Sequence, residues 1–298
     1  MKKIYLFLLA LCACFIQMYA ETVKIGNLYY SLGTTTAQVV KDQSSDKSVY
    51  SAYTAVTIPA SVTYNNYTYP VTSIGTSAFE ALTNLQSVTL PTSVTTIGTD
   101  AFYGCTKLGS VNLEEGLTTI NLRAFYNCAL TEITIPSTVT SIGNSAFKGN
   151  PTTTIVWKPA DCSIGSDSEA PFYSTNSQVT SFTFADGVEI VPAYICKNMS
   201  LLDTIVLPAS VSRLGQSAFM NCTNLKSINL PATQKTLPTS FLEGCTSLES
   251  IELPATLTTI SADAFYGCTK LANVNLHEGI TTINLRAFYN CALTEITI

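Results

Sequence analysis

The sequence predicts a β-rich solenoid, a stack of similar coils rather than a globule around one central core. Two observations carry this. A block of 42 residues occurs twice, from Val94 to Ile135 and from Leu257 to Ile298, and 35 of the 42 positions match without gaps. Inside each block a unit of about 23 residues recurs, and that unit runs on through most of the chain. Periodicity at this length marks coils that bury their apolar sides only against their neighbours.

Met1 to Ala20 precedes the repeat. Lys2 and Lys3 give a positive start, Ile4 to Ile16 an apolar run, and Ala20 ends it before Glu21. This reads as a secretory signal peptide, too short and wrongly flanked for a spanning helix. Cleavage is expected after Ala20. Lipidation at Cys14 is the lesser alternative, since Cys12 fills a slot that normally holds a small or aliphatic residue. No later stretch is long and apolar enough to cross a membrane. The chain has 298 residues, 46% hydrophobic and 12% charged, with a formal net charge of -5. It carries no basic stripe, so nucleic acid and anionic membrane surfaces are not expected partners.

Glu21 to Pro70 lies outside the repeat. It holds an alternating run (Val23, Ile25, Leu28, Tyr30), a polar stretch around Asp42 to Lys47, and Asn65-Asn66 between two Tyr-rich arms, which reads as a hairpin turn. A solenoid needs its first coil covered, so residues 21–70 are expected to form an N-terminal β cap.

From residue 71 to residue 298 the consensus is V-x-x-I-G-x-x-A-F-x-x-C-x-x-L-x-x-V-x-L-P. Units begin at Val71, Val94, Leu117, Val139, Val188, Val211, Gln234, Leu257 and Ile280, with an irregular one between Asp161 and Gly187. That makes about ten coils, the last truncated. In V-x-L, Val111 and Leu113 point inward and Asn112 outward, giving one rung of a parallel sheet. Pro91, Pro136, Pro208, Pro231 and Pro254 follow at once and stop the ladder. V-x-x-I is a second short extended piece. Gly75, Gly98, Gly143 and Gly215 are expected to allow a tight bend. A-F-x-x-C-x-x-L, with apolar residues three and four apart, suits one or two helical turns against the core. Phe79, Phe102, Phe125, Phe147, Phe219, Phe241, Phe265 and Phe288 are expected to stack as an internal ladder. At roughly 4.8 Å per rung the rod is about 45–50 Å long.

The motif V-T-T-I-G-x-x-A-F-Y-G-C-T-K-L and its relatives, over Val71 to Ile298, resemble the leucine-rich repeats of the BspA type, a family of bacterial surface proteins. The resemblance implies a right-handed leucine-rich-repeat solenoid of short parallel strands alternating with short helical turns, on or outside the cell. It also implies an adhesin-like role toward host or bacterial macromolecules.

Two features depart from the rhythm. Asn150 to Gly187 contains Trp157, the only Trp, and the insertion-like run SDSEAPFYSTNS. A longer loop on a regular rod is a candidate contact site, although drift in a decaying repeat is the preferred reading. The second 42-residue block stops at Ile298 in mid-unit, where the first continues into Pro136 and a new coil. The natural protein is therefore expected to extend further.

Candidate chemistry is sparse. Cys105, Cys128, Cys222, Cys245, Cys268 and Cys291 share one repeat position, which also accepts Leu82, Asn150 and Met199. This reads as a ladder of small buried residues with free thiols, not a disulfide framework or a zinc site. His277 is the only histidine, so triads and His-rich metal centres are not available. Glu114-Glu115 sit where proline normally ends a rung and read as solvated turn residues, not glycosidase acids. No cofactor and no enzyme activity are expected.

What remains is the outer face of the strand ladder: Thr89, Asn112, Thr134, Trp157, Thr183, Val206, Asn229, Glu252, Asn275 and Thr297. Two places earlier run Ser87, Ser110, Glu132, Ile155, Ser181, Thr204, Ser227, Ser250, Asn273 and Glu295. This long polar face, with an apolar interruption at Ile155, Trp157 and Val206, is the candidate binding face for an extracellular protein or glycan. The competing reading is a spacer that presents a downstream domain.

Overall fold

A computed structural model describes residues 21–43, 48–165, 169–172 and 176–294. The expected signal peptide, Thr297 and Glu295 lie outside the described residues. The chain forms a β-solenoid of about nine turns.

Before the coils, β1 (Glu21–Ile25), β2 (Leu28–Leu32) and β3 (Ala37–Val40) pair antiparallel. β4 (Ala55–Thr57) follows, then a hairpin of β5 (Ser61–Tyr64) and β6 (Tyr67–Ile74). The hairpin turns at Asn65 (φ 48) and Asn66 (φ 65), as expected. Both positions need the left-handed region, where Asn is among the least strained side chains.

Each coil then adds two short strands: β7 (Ser87–Thr89) and β8 (Thr96–Ile97), β9 (Ser110–Asn112) and β10 (Thr119–Ile120), β11 (Glu132–Ile135) and β12 (Ser141–Ile142), β13 (Thr154–Trp157) and β14 (Ser163–Ile164), then β15 (Ser181–Phe184). The V-x-x-I strands stack in one ladder, β3-β6-β8-β10-β12-β14, parallel throughout. The V-x-L strands form shorter parallel runs, β4-β7-β9 and β11-β13-β15. Beyond residue 185 the same two series continue in pairs and triplets, such as Thr236–Leu237 with Thr259–Ile260 and Thr282–Ile283.

The third side of each coil differs from expectation. Among the described residues the only α-helical turn is Ser48–Ser51, in the N-terminal region, and the A-F-x-x-C segment is a chain of tight turns. Asp100 (φ 55) and Gly104 (φ 72) bracket Ala101-Phe102-Tyr103 in the left-handed region. The hydrogen bonds give the reason. Amides of Asp100, Phe102 and Gly104 donate to Leu122, Ala124 and Tyr126 of the next coil at 3.0, 2.8 and 2.8 Å, while Ala101, Tyr103 and Cys105 donate three residues back. A helix would use every amide inside its own coil. Here every second one is sent across to the neighbour. The apolar spacing is helix-like because it records which side is buried, and a row of turns buries the same side.

The glycines before that segment serve close packing. A Cβ on Gly98 would lie 2.7 Å from the backbone carbon of Gly75 in the preceding coil, and neither glycine has positive φ. Coils approach there too closely for a side chain.

The core is continuous along the stack. Phe79, Phe102, Phe125 and Phe147 stack with centroids 5.3, 5.1 and 5.4 Å apart and interplanar angles of 9, 5 and 5°. The irregular unit supplies Phe172, 5.4 Å from Phe147. Tyr50 covers the first ring at 5.4 Å. Its hydroxyl bonds the carbonyl of Val40 and the amide of Tyr29. In the coil after Phe172 the row changes. The Cys196 amide bonds the Ala218 carbonyl as Phe102 bonds Ala124, so Cys196 fills a Phe place. Leu242 does the same toward Ala264. Phe241 therefore occupies the Ala place, one residue off the expected ladder, and meets Phe219 edge-on at 89°. Burial of each ring contributes roughly 2–3 kcal/mol.

Candidate binding face

Alternation along the V-x-L strands sends every second side chain outward. Thr89, Asn112, Thr134, Thr183, Val206, Asn229, Glu252 and Asn275 are all exposed. Val206 is the most exposed large apolar residue of this row, at 69%. Their neighbours Ser110, Glu132, Ser181, Thr204, Ser227, Ser250 and Asn273 are exposed beside them, and Ser87 is half-buried.

Trp157 is not part of this face. It is fully buried, and so is Ile155. Thr134 pairs with Val156 and Glu132 with Thr154, so the outward residues of that rung are Thr154 and Val156. The cause is a coil one residue short. Cys105 to Leu108 spans three steps and Cys128 to Leu130 only two, and the coil from Val139 is short in the same way. Because side chains alternate with period 2, a slip of one residue turns a whole strand over. Among the described residues, the buried indole Nε1 of Trp157 has no hydrogen-bond partner.

The face is divided among several sheets: β9 and β11 are in separate sheets, as are β15 and Thr204–Ile205, and Ser227–Ile228 and Ser250–Ile251. Between β9 and β11 lies a depression of about 260 Å³ lined by Gly109, Ser110, Val111, Asn112, Leu113, Thr131, Glu132 and Thr134. Between Thr204–Ile205 and Ser227–Ile228 a side chain of the face braces the strands. Asn229 accepts from the Leu207 amide at 2.7 Å and donates to the Leu207 carbonyl at 2.8 Å.

The described cysteines are free thiols. Each ladder thiol reaches a main-chain carbonyl of the coil before: Cys105 to Phe79 (3.0 Å), Cys128 to Phe102, Cys222 to Cys196 and Cys245 to Phe219 (3.2 Å each), Cys268 to Leu242 and Cys291 to Phe265 (3.1 Å each). The slot therefore selects a small donor as well as a small volume. Asn150 meets the same need. Its amide gives 2.8 Å bonds to the carbonyls of Phe125 and Phe147, and its oxygen takes the Leu130 amide at 3.0 Å. Burial lifts the thiols well out of the reactive range: Cys105 and Cys222 to about 12, and Cys291 to about 11.

The other ionisable groups serve turns. His277 Nδ1 accepts the Gly279 amide at 3.1 Å, which leaves Nε2 as the donor to the Pro254 carbonyl at 3.0 Å. Burial opposes ionisation of Glu115, but the Ser137 hydroxyl and amide bond it and hold its carboxyl below the ordinary range. Among the described residues no cluster of His, Cys, Asp and Glu could hold a metal ion. No described helix is long and apolar enough to cross a membrane.

One surface feature was not anticipated. Tyr103 stacks on Tyr126 at 4.9 Å and Tyr266 on Tyr289 at 5.3 Å. Arg123 bonds Asp100 at 2.7 Å and Arg286 bonds Asp263 at 2.9 Å beside them. The identical D-A-F-Y and R-A-F-Y runs in the two 42-residue blocks are the sequence signal for it.

The family model for the BspA type leucine rich repeat region matches six copies over residues 72–202 and 189–298. The chain belongs to the BspA-type leucine-rich-repeat family. Among solved structures, this member of the family is similar to a leucine rich cell surface protein from Faecalibacterium prausnitzii (27% identity, 92% of this chain and 93% of that one, TM-score 0.44). It is also similar to a leucine-rich repeat protein from Bacteroides capillosus (38% identity, 46% of this chain and 97% of that one, TM-score 0.40). A third likeness is to the pneumococcal vaccine antigen PcpA (16% identity, 94% and 90% covered, TM-score 0.43). No curated protein matches the chain.

Proposed function

We propose that this BspA-type chain is an exported, non-catalytic binding protein that holds an extracellular protein or glycan on the strand face of its solenoid, in the manner of an adhesin. The observation that carries this is the exposed row Thr89, Asn112, Thr134, Thr183, Val206, Asn229, Glu252 and Asn275, with half-buried Val156 as an outward residue of β13. Short hydroxyl and amide groups on a rigid ladder can exchange water for a partner's polar groups at small desolvation cost. Membership of a family of leucine-rich surface repeats and the leader at residues 1–20 support export to the cell surface or beyond. Residues 21–70 act as the cap of the first coil, a role that the packing of Tyr50 on Phe79 supports.

The test is capture of the purified protein on immobilised matrix proteins and glycans, compared with a variant carrying Thr183→Arg, Val206→Arg and Glu252→Arg. Loss of capture by a variant that still folds is the expected result. Capture unchanged by all three substitutions would remove the face from consideration. A spacer role is the second reading, favoured by Asn229, whose amide is spent on the backbone of its own stack. A protein that captures nothing by itself would support it.

A further inference from the structure

We propose that the opening between β9 and β11 is a docking cleft for an extended peptide segment of a partner protein, one that bears lysine or arginine. The proposal rests on the reading that the strand face binds, and it adds to that reading one particular place on the face and the class of partner that fits there.

The coils do not come apart at this point. Thr119 and Ile120 pair with Thr96 and Ile97 on the neighbouring side, and the turn amides of Asp100, Phe102 and Gly104 still reach across. Only the strand face parts. Its last main-chain bond is from the Ala129 amide to the Leu108 carbonyl, at 2.9 Å. Beyond it, the Asn150 side-chain oxygen accepts from the Leu130 amide, and the Thr152 hydroxyl donates to the Leu130 carbonyl at 2.9 Å. Both bonds draw the start of β11 toward the following coil, where it runs in four-residue register with β13.

Among the described residues, the facing edges of β9 and β11 thus have no strand partner. The lining is chiefly polar, with two apolar side chains partly uncovered: Val111 and Leu113 are partly exposed, while Val88 and Leu90 at the same places one coil earlier are buried. Unpaired main-chain edges are what an extended peptide recognises: the edges take its backbone, and Val111 and Leu113 offer contact to alternate side chains. No lining residue is aromatic, so a sugar ring has nothing to stack on. Glu132 is exposed on one rim, Glu114 is bonded to Asn112 on the other, and no cation is among the lining residues. The charge therefore favours a basic side chain and disfavours an acidic one.

The experiment uses the full chain and fluorescence polarisation with a labelled hexapeptide that alternates valine with lysine. The same peptide with glutamate in place of lysine, and chito- and cello-oligosaccharides, form the other arms. We expect the lysine peptide to bind at least tenfold more tightly than the glutamate peptide. Inserting one glycine between Ala129 and Leu130 restores the longer spacing and should weaken binding at least tenfold, as should Glu132→Lys. Lys270→Ala, at an exposed turn away from the strand face, should leave it unchanged. If the insertion prevents folding, judged by circular dichroism, Glu132→Lys and Thr134→Arg carry the test. Equal binding of both peptides, binding indifferent to these changes, or oligosaccharide binding in place of peptide would overturn the proposal. A protein that captures matrix or glycan through Val206 yet ignores the peptides would sink the cleft alone and leave the wider reading standing.

Discussion

Trp157 lies beside Ile135 in the strand ladder, and Val156 lies beside Thr134. The sole indole is therefore a core group. Its fluorescence should be blue-shifted relative to free tryptophan and poorly quenched by acrylamide. Trp157→Ala should cost about 3–5 kcal/mol, as large core truncations do. A urea melt followed by circular dichroism checks this, and a wild-type-like midpoint would return Trp157 to the surface.

Phe241 and Leu242 have exchanged the usual Ala and Phe places. Phe241→Ala alone should destabilise by about 3–5 kcal/mol. The double exchange Phe241→Ala with Leu242→Phe restores the consensus order at nearly constant volume and should recover most of that loss. Denaturant midpoints of the two single variants and the double one decide the matter. Additive losses would mean that the two sites do not share one packing problem.

Asn150 serves three main-chain groups at once: the carbonyls of Phe125 and Phe147 and the Leu130 amide. Asn150→Leu keeps the volume but leaves all three buried groups unpaired, each at about 1–3 kcal/mol. The substitution should be more harmful than Cys128→Ala, which frees a single carbonyl from a weak thiol donor. Hydrogen exchange at the Leu130 amide should accelerate in the Leu variant. An unchanged exchange rate would show that another group satisfies that amide.

The thiols should be silent toward Ellman's reagent in the native protein and all should react in urea. Their pH dependence has a definite sign. A thiol in the unfolded chain ionises near about 8.5, whereas burial holds Cys105, Cys162, Cys222 and Cys268 at about 12. Their contribution is complete below about pH 8.5 and is lost as pH rises toward 12. The loss is about 1.4 kcal/mol per pH unit for each thiol. Urea midpoints at pH 8 and pH 10 measure it. A midpoint that did not fall at pH 10 would contradict the buried ladder.

Much of this architecture is legible in the repeat. The spacing of Val111 and Leu113, the Asn65-Asn66 turn and the Phe79 to Phe147 row all follow from periodicity and turn chemistry. The two misplacements differ in origin. A fixed 23-residue step carries Thr134 to Trp157, although the apolar alternation of Ile155 and Trp157 marks a 22-residue coil. Phe241 enters the ring row by residue type instead, since a 23-residue step from Phe219 leads to Leu242. The turn segment has helix-like spacing, yet burial spacing does not reveal where an amide goes, and the amide of Phe102 goes to the next coil. The division of the face at β11 depends on Asn150 in the adjoining coil, a long-range effect that no local window holds.

The bond from Cys128 to Phe102 recurs from Cys291 to Phe265 in the second 42-residue block, with nothing altered but the address. The two blocks thus present matching sockets to their neighbours. Copying or excision of a whole block would lengthen or shorten such a stack by about two coils without inventing a new joint.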